Sequence, residues 1–337
     1  MLTRLAHNDI FDIDRFARLH ARYSWLQPGL LLPAYFFLIS FVDLSRHYPQ
    51  DLGIDARIYY RAAVAFTEGI SPWSAFVTNT RGNDLHFASL PPTVLIFQPF
   101  AAFPEKLVVW MWILLSVGAA FTIVRRLRLP IWWLAFPPIA EGIFSANPQI
   151  VLLALILSGS SALAAIAPLL KIYALAPLVG ERRVRALVIT LAALIGSVAI
   201  APGLWFDYLA HGEQIAERVL AESHGGYSAL GQSVALTAAT VLGLGLLAVV
   251  DFRAAGWLAA PALVPASQFH LSTMALPVLA QTRNLFLILM LATPIRGYPS
   301  AAIAIYGVWR CYRFVRARRE GSGAPQSTGP EDAAGSH

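Results

Sequence analysis

Residues 106–128 read KLVVWMWILLSVGAAFTIVRRLR, and no charged residue lies between Lys106 and Arg125. The apolar run at 106–124 is about as long as a transmembrane helix requires, roughly 20 residues. Three arginines follow it almost at once, and arginine clusters beside apolar runs are typical of the cytoplasmic side of a membrane. This stretch therefore predicts a helix that crosses a membrane and ends in the cytoplasm.

The composition of the whole chain extends this prediction. Of the 337 residues, 57% are hydrophobic and only 13% are charged, and the mean hydropathy is +0.59. A soluble domain carries about 25% charged residues, and one soluble core of this size could not bury so much apolar surface. The composition excludes a soluble enzyme, a disordered chain and a fibrous repeat. It predicts an all-α, polytopic integral membrane protein.

The apolar runs divide the chain into about ten predicted membrane segments, several of them short or broken by proline. Residues 27–319 form the predicted transmembrane domain, preceded by an amphipathic arm at 1–26 and followed by a disordered tail at 320–337. Two polar loops interrupt it, at 46–105 and at 202–232. Short, proline-broken helices occur inside a bilayer where they line a cavity.

The basic residues give the orientation of these segments. Only two of the 25 basic residues are lysines, Lys106 and Lys171, and the arginines cluster at the ends of apolar runs. This distribution follows the positive-inside rule, so the net charge of +6 does not indicate a nucleic-acid partner. Both termini are expected in the cytoplasm and both polar loops on the outer face. The run at 150–180 fits either one bent span or a span plus a re-entrant hairpin.

The first polar loop holds the strongest candidate for chemistry. It contains Gly53-Ile54-Asp55-Ala56-Arg57-Ile58-Tyr59-Tyr60-Arg61, and short interface helices are predicted over about 54–68 and 91–103. On a helix, Asp55 and Tyr59 are four residues apart and share a face. A carboxylate at the start of an outer interface helix is well placed to act as a general base. The spacing alone favours a helix-terminal charge beside snorkelling arginines.

Several stretches together form a family pattern. They are Asp55-x-x-x-Tyr59-Tyr60, Glu68-Gly69-x-x-Pro72-Trp73, Leu90-Pro91-Pro92, Asn147-Pro148-Gln149, Leu170-Lys171-Ile172-Tyr173-Ala174 and a segment at 265–270 that ends in His270. The pattern resembles the GT-C membrane glycosyltransferases, and most closely the bacterial polyprenyl-phosphate-mannose-dependent α-mannosyltransferases. Trp73 takes the place of the family's tyrosine after Pro72. The resemblance covers roughly residues 53–185 and 264–280.

The resemblance implies a GT-C type fold and a reaction. Members of this class take a sugar from a polyprenyl phosphate on the outer face of the membrane and transfer it with inversion. By position, Asp55 is the catalytic base that deprotonates the acceptor hydroxyl. The polyprenyl phosphate leaves as an anion and needs cationic or hydrogen-bonding partners. The candidate partners are Lys171, His270 and Arg218. The candidate substrate-binding residues are Tyr59, Tyr60, Asn147 and Gln149.

The expected function is transfer of a sugar, with mannose favoured by the resemblance, to a lipid-linked or cell-envelope glycan. The expected partners are membrane lipid, the polyprenyl-phosphate sugar and the glycan or glycolipid acceptor, in the bacterial plasma membrane. No cofactor or metal is expected, since the only Asp-x-Asp string is Asp12-Ile13-Asp14 on the cytoplasmic arm.

Two alternatives to an active glycosyltransferase remain open. One is a transporter or flippase for a lipid or a polar solute, with Glu141, Lys171 and His270 along a translocation path. Such proteins usually show two related halves, and no such repeat is found in this sequence. The other alternative is a catalytically inactive scaffold of an envelope complex. Under the enzyme hypothesis, Glu141 either pairs with Lys171 or lines the cavity, because an ionisable residue inside an apolar segment indicates function.

Overall fold

The apolar runs of the sequence fold as helices. A computed structural model describes residues 28–223, 226–265 and 268–321, and most of these residues are helical, as the composition predicts. The predicted arm at 1–26 lies outside the described residues, as does the predicted tail from residue 322 onward.

Sixteen α-helices lie in the described ranges. The first eight are α1 (Pro28–Ser45), α2 (Ile54–Thr67), α3 (Pro91–Phe97), α4 (Glu105–Arg126), α5 (Pro137–Phe144), α6 (Pro148–Leu157), α7 (Ser161–Leu170) and α8 (Leu175–Gly180). The others are α9 (Val184–Ile200), α10 (Pro202–Ala210), α11 (Gly212–Ser223), α12 (Val234–Val250), α13 (Phe252–Leu263), α14 (Leu276–Thr282), α15 (Leu285–Ala292) and α16 (Tyr298–Gly321). Short 3₁₀ helices lie at Pro72–Ser74, Gln98–Ala102, Ile131–Ala135, Ile172–Ala174 and Phe269–Ala275.

The first polar loop is more ordered than an irregular connection. The helices predicted over 54–68 and 91–103 are confirmed as α2 and as α3 with the 3₁₀ helix that follows it. Between them lies a β-hairpin that was not predicted, with β1 (Phe76–Thr78) antiparallel to β2 (Asp84–His86). Strands of three residues carry too little alternation to be recognised from sequence.

One described helix is long and apolar enough to cross a membrane by itself. It is α4, which has 22 residues and ends in Arg125 and Arg126. Two helix pairs pass the same test only if each counts as one broken span: α5 with α6, bent by 119°, and α9 with α10, bent by 95°. The described residues thus give one to three clear membrane-spanning candidates, and the larger count of about ten segments stays a prediction.

Exposed apolar surface accompanies these helices. On α1 the side chains of Phe37 and Phe41 are 67% and 63% exposed, and on α9 those of Leu191 and Ile195 are 58% and 62% exposed. Large exposed apolar surfaces mark contact with a membrane or with another protein. These surfaces are compatible with a lipid environment.

The run at 150–180 forms three separate helices. Ser160 caps the start of α7, where its side chain accepts the N–H of Leu163, and the preceding Gly159 has a positive φ of 85°. The helix α7 ends at Leu170, because Lys171 adopts an extended backbone with φ −149° and ψ 116°. This break leaves Lys171 at a helix end, instead of in the middle of a continuous span.

Candidate active site

The start of α2 is fixed against the turn between α5 and α6. The backbone N–H of Gly53 donates to the Phe144 carbonyl at 2.8 Å, and that of Asp55 donates to the Ser145 carbonyl at 3.0 Å. Gly53 has a positive φ of 69°, and a Cβ atom there would lie 2.3 Å from Cγ1 of Val109. Only glycine fits at this close approach, which positions Asp55 in the first turn of α2.

Asn147 connects this turn to the carboxylate of Asp55. Its Nδ2 donates to Oδ2 of Asp55 at 2.9 Å, and its Oδ1 accepts the N–H of Gln149 at 2.8 Å. The second bond caps the N-terminus of α6. Asn147 is only 4% exposed, and the preceding Ala146 has a left-handed φ of 53°. One side chain therefore begins a helix and orients a carboxylate.

Tyr59 and Lys171 lie together in the next layer of the site. The ring of Tyr59 is stacked on that of Phe97, with centroids 4.8 Å apart, and contacts Phe87 edge-on. Nζ of Lys171 lies 5.2 Å from the centroid of the Tyr59 ring, within the range of a cation–π interaction. The hydroxyl of Thr93 donates to the carbonyls of Leu169 and Leu170 at 2.8 and 3.2 Å, which fixes the helix end beside Lys171.

His270 and Glu141 face each other. His270 is 4% exposed and is the second residue of the 3₁₀ helix at Phe269–Ala275. Its Nδ1 lies 3.4 Å from Oε2 of Glu141, which is longer than an ordinary N–H···O hydrogen bond. Neither atom has a hydrogen-bond partner among the described residues. Glu141 therefore faces His270, whereas the sequence had left a pairing with Lys171 open.

Five of the predicted site residues line one cavity of about 620 Å³, called here the large cavity. They are Asp55, Tyr59, Asn147, Lys171 and His270. Most of the remaining lining is apolar and includes Leu90, Leu170, Ile172, Leu263 and Leu271. A mainly apolar cavity with a few convergent polar groups suits a ligand that combines a lipid part with a charged head group.

Several polar residues of this lining were not predicted as site residues from the sequence, among them Glu222 and Tyr173. Burial raises the pKa of Glu222, an effect that the Lys171 ammonium opposes and the Asp55 carboxylate reinforces. Glu222 is one of several acidic residues in the second polar loop, and no motif distinguishes it. The hydroxyl of Tyr173 donates to Oε1 of Gln149.

Three predicted site residues do not line the large cavity. Nη1 of Arg218 donates to the Trp73 carbonyl at 2.8 Å and so ties α11 to the first polar loop. The hydroxyl of Tyr60 donates to the Phe103 carbonyl at 3.0 Å, on a different face of α2 from Tyr59. Gln149 is fully buried, and its side chain accepts the hydroxyl of Tyr173, which lines the cavity.

Asp55 and His270 also line a second cavity of about 170 Å³, called here the polar cavity. Its other ionisable and polar lining residues are Asp43, His47, Asp51, Asn79, Arg81, Glu141, Ser145, Tyr227, Gln268 and Arg296. Asp51 accepts hydrogen bonds from Thr80 and pairs with His47 at 2.9 Å. Burial acts to raise the pKa of Asp51, but the bonds from Thr80 and His47 outweigh it and hold this pKa below its usual value.

In the described ranges, no group of three or more His, Cys, Asp or Glu side chains is arranged to hold a metal ion. Comparisons of the whole chain with family models, with curated proteins and with solved structures found no match.

Proposed function

We propose that this chain is a GT-C type membrane glycosyltransferase that transfers a sugar, with inversion, from a polyprenyl phosphate to a lipid-linked or cell-envelope glycan. The resemblance favours mannose as the sugar. One observation carries the proposal. Asp55, Asn147, Lys171 and His270 come from four separate parts of the chain and converge on one mainly apolar cavity. A base, a cation and an apolar cavity are the parts that transfer from a lipid phosphate requires.

Asp55 acts as the general base. An alcohol is a poor nucleophile at neutral pH, and a positioned base accelerates its attack by roughly 10²–10⁴-fold. Asn147 holds Oδ2 of Asp55 by a 2.9 Å hydrogen bond, and we assign Oδ1 to the proton of the acceptor hydroxyl. The oxygen of that hydroxyl then forms the new bond to the anomeric carbon of the donor sugar.

Lys171 and His270 stabilise the leaving group. As the new bond forms, the bond between the anomeric carbon and the phosphate oxygen breaks, and the polyprenyl phosphate leaves with the electron pair. Negative charge grows on that oxygen, and fixed cations or N–H donors stabilise such charge best in a site with little water. A single displacement from the face opposite the phosphate inverts the anomeric carbon.

The membrane setting supports the same proposal. We infer that the short apolar helices around the cavity, with α4 and the two bent pairs, make up a polytopic domain of about ten membrane segments. The arginines at the end of α4 and just after it favour a cytoplasmic side there, with the polar loops on the outer face and both termini in the cytoplasm. The site then opens at the outer face of a bacterial plasma membrane, where the lipid-linked donor is delivered.

Sugar transfer in isolated membranes tests the proposal. Radiolabelled polyprenyl-phosphate-mannose is the donor, and wild type is compared with Asp55→Asn and with Asp84→Asn. Asp84 is an exposed carboxylate of the same loop and does not line either cavity described above. We expect transfer to be abolished in Asp55→Asn and retained in Asp84→Asn at equal protein level.

Two results would count against the proposal. Equal transfer by wild type and Asp55→Asn would show that Asp55 is not the general base. Absence of transfer by wild type would contradict the enzyme proposal and favour the transporter or flippase hypothesis. That hypothesis predicts movement of the labelled lipid across sealed vesicles without a new glycosidic bond.

A further inference from the structure

The polar cavity differs from the large cavity in chemistry and in size. Its volume is about 170 Å³, against about 620 Å³ for the large cavity, so it suits a small polar group such as a single sugar ring better than a lipid chain. Asp55 and His270 line both cavities, so the two meet at the proposed base.

Three buried atoms at the polar cavity make no ordinary hydrogen bond among the described residues. Oγ of Ser145 has none, and Oε2 of Glu141 and Nδ1 of His270 have only each other, 3.4 Å apart. Ser145 is 5% exposed and His270 is 4% exposed. A buried polar group without a partner is costly, and hydrogen bonds to a ligand or to water remove that cost. A hydroxylated ligand supplies such donors and acceptors.

The charges around the polar cavity favour a neutral ligand. Four carboxylates, Asp43, Asp51, Asp55 and Glu141, line it together with the guanidinium groups of Arg81 and Arg296, so an anion and a cation would each meet groups of like charge. A neutral polyhydroxylated group meets no like charge, because its hydroxyls donate to the carboxylates and accept from the guanidinium groups.

We propose that the polar cavity binds the terminal sugar ring of the acceptor glycan. The ring's reacting hydroxyl then lies at Asp55, while the donor lipid occupies the large cavity on the other side. This inference rests on the proposed function and adds the location and chemical class of the acceptor group. Ser145 is central to it, because its carbonyl accepts the backbone N–H of Asp55 at 3.0 Å and the residue lines the polar cavity.

Cysteine protection tests the two cavities separately and needs no catalysis. Cys311 is the only cysteine of the chain, so Cys311→Ser gives a cysteine-free background. Ser145→Cys places a thiol in the polar cavity, and Leu263→Cys places the matched thiol in the large cavity. Each variant is purified and treated with a small methanethiosulfonate reagent. The probes are methyl α-mannoside and a polyprenyl phosphate.

The two probes are expected to protect different thiols. Methyl α-mannoside slows modification at position 145 several-fold and leaves position 263 unchanged, and the polyprenyl phosphate does the reverse. The inference is overturned if the mannoside fails to protect position 145 or protects both positions equally. It is also overturned if a thiol at position 145 is never modified, because the cavity would then be closed to solutes.

Transfer kinetics provide a second readout and separate the two proposals. Ser145→Ala removes one hydroxyl and should raise the acceptor KM by roughly tenfold with an unchanged donor KM. Transfer without protection at position 145, and with a normal acceptor KM in Ser145→Ala, overturns the acceptor site and leaves the glycosyltransferase standing. Protection without any transfer in membranes leaves a sugar-binding cavity and overturns the enzyme.

Discussion

Nδ2 of Asn147 donates a 2.9 Å hydrogen bond to Oδ2 of Asp55, across 92 residues of sequence. The same amide caps α6 through Oδ1, so the start of one helix and the carboxylate on another are held by a single side chain. A base that is held by a helix cap keeps its direction as long as that helix is folded. This relationship allows the orienting role of Asn147 to be separated from its structural role.

Asn147→Ser should keep the fold and lose most of the transfer. Serine caps a helix about as well as asparagine, but its short side chain does not reach Asp55. We expect kcat to fall by about tenfold or more, with a melting temperature near that of wild type in detergent. Asn147→Ala removes both bonds and should also destabilise the protein by about 1 kcal/mol. A normal kcat in Asn147→Ser would show that the bond to Asp55 does not orient the base.

Lys171→Met should weaken use of the donor. A charge-assisted hydrogen bond to a phosphate contributes about 1.5–3 kcal/mol, so kcat/KM measured with varied donor should fall by roughly 10- to 100-fold. Lys106→Met is the matched control, because Lys106 is the other lysine of the chain and lies exposed at the start of α4. An equal effect of both substitutions would indicate a general effect of charge and would contradict a role of Lys171 in binding the donor phosphate.

Gly53→Ala should destabilise the protein more than Gly82→Ala. Both glycines have a positive φ, 69° and 75°, so both substitutions carry the strain of about 1 kcal/mol. At Gly53 the new methyl group also meets Val109 at 2.3 Å, whereas nothing lies within 4 Å at Gly82. Overpacking of this kind adds about 1–3 kcal/mol. Thermal unfolding in detergent measures the difference, and Val109→Ala should restore part of the loss.

Asp51→Asn should lower stability in a pH-dependent way. The pKa of Asp51 is lower in the folded protein than its usual value of 3.8, so its ionised form stabilises the fold above that pH. The stabilisation is lost as the pH falls through the folded pKa. The melting temperature of Asp51→Asn should therefore lie below that of wild type at neutral pH, and the two should converge below about pH 4. A constant difference down to pH 3 would contradict this sign.

The candidate residues could be named from sequence because they lie in short motifs. Asp55, Tyr59, Asn147, Lys171 and His270 were named from the motifs that carry the family resemblance, and the structure brings all five to the large cavity. Composition also predicted a helical protein, and local sequence predicted the positions of α2, α3 and α4. Their convergence depends on packing between distant helices, and no local pattern encodes it.

Some predicted site residues lie away from the large cavity for reasons that local sequence does not contain. Tyr59 and Tyr60 are neighbours in sequence, but successive residues of a helix point about 100° apart, so Tyr60 reaches Phe103 instead of the cavity. Arg218 and Glu222 lie one turn apart on α11. Arg218 donates a hydrogen bond to the carbonyl of Trp73, whereas Glu222 lines the large cavity. Only the docking of the second polar loop on the first decides between these two side chains.

The separation between Gly53 and Phe144 has a consequence for biosynthesis. The N–H groups at the start of α2 donate to carbonyls of residues 144 and 145, which leave the ribosome about ninety residues later. At roughly 5–20 residues per second, the new α2 waits about 5–18 s for its partners. During this interval the nascent first loop has unpaired backbone groups and an exposed carboxylate. A translational pause before residue 144 should therefore lengthen the period in which the loop is open to proteolysis.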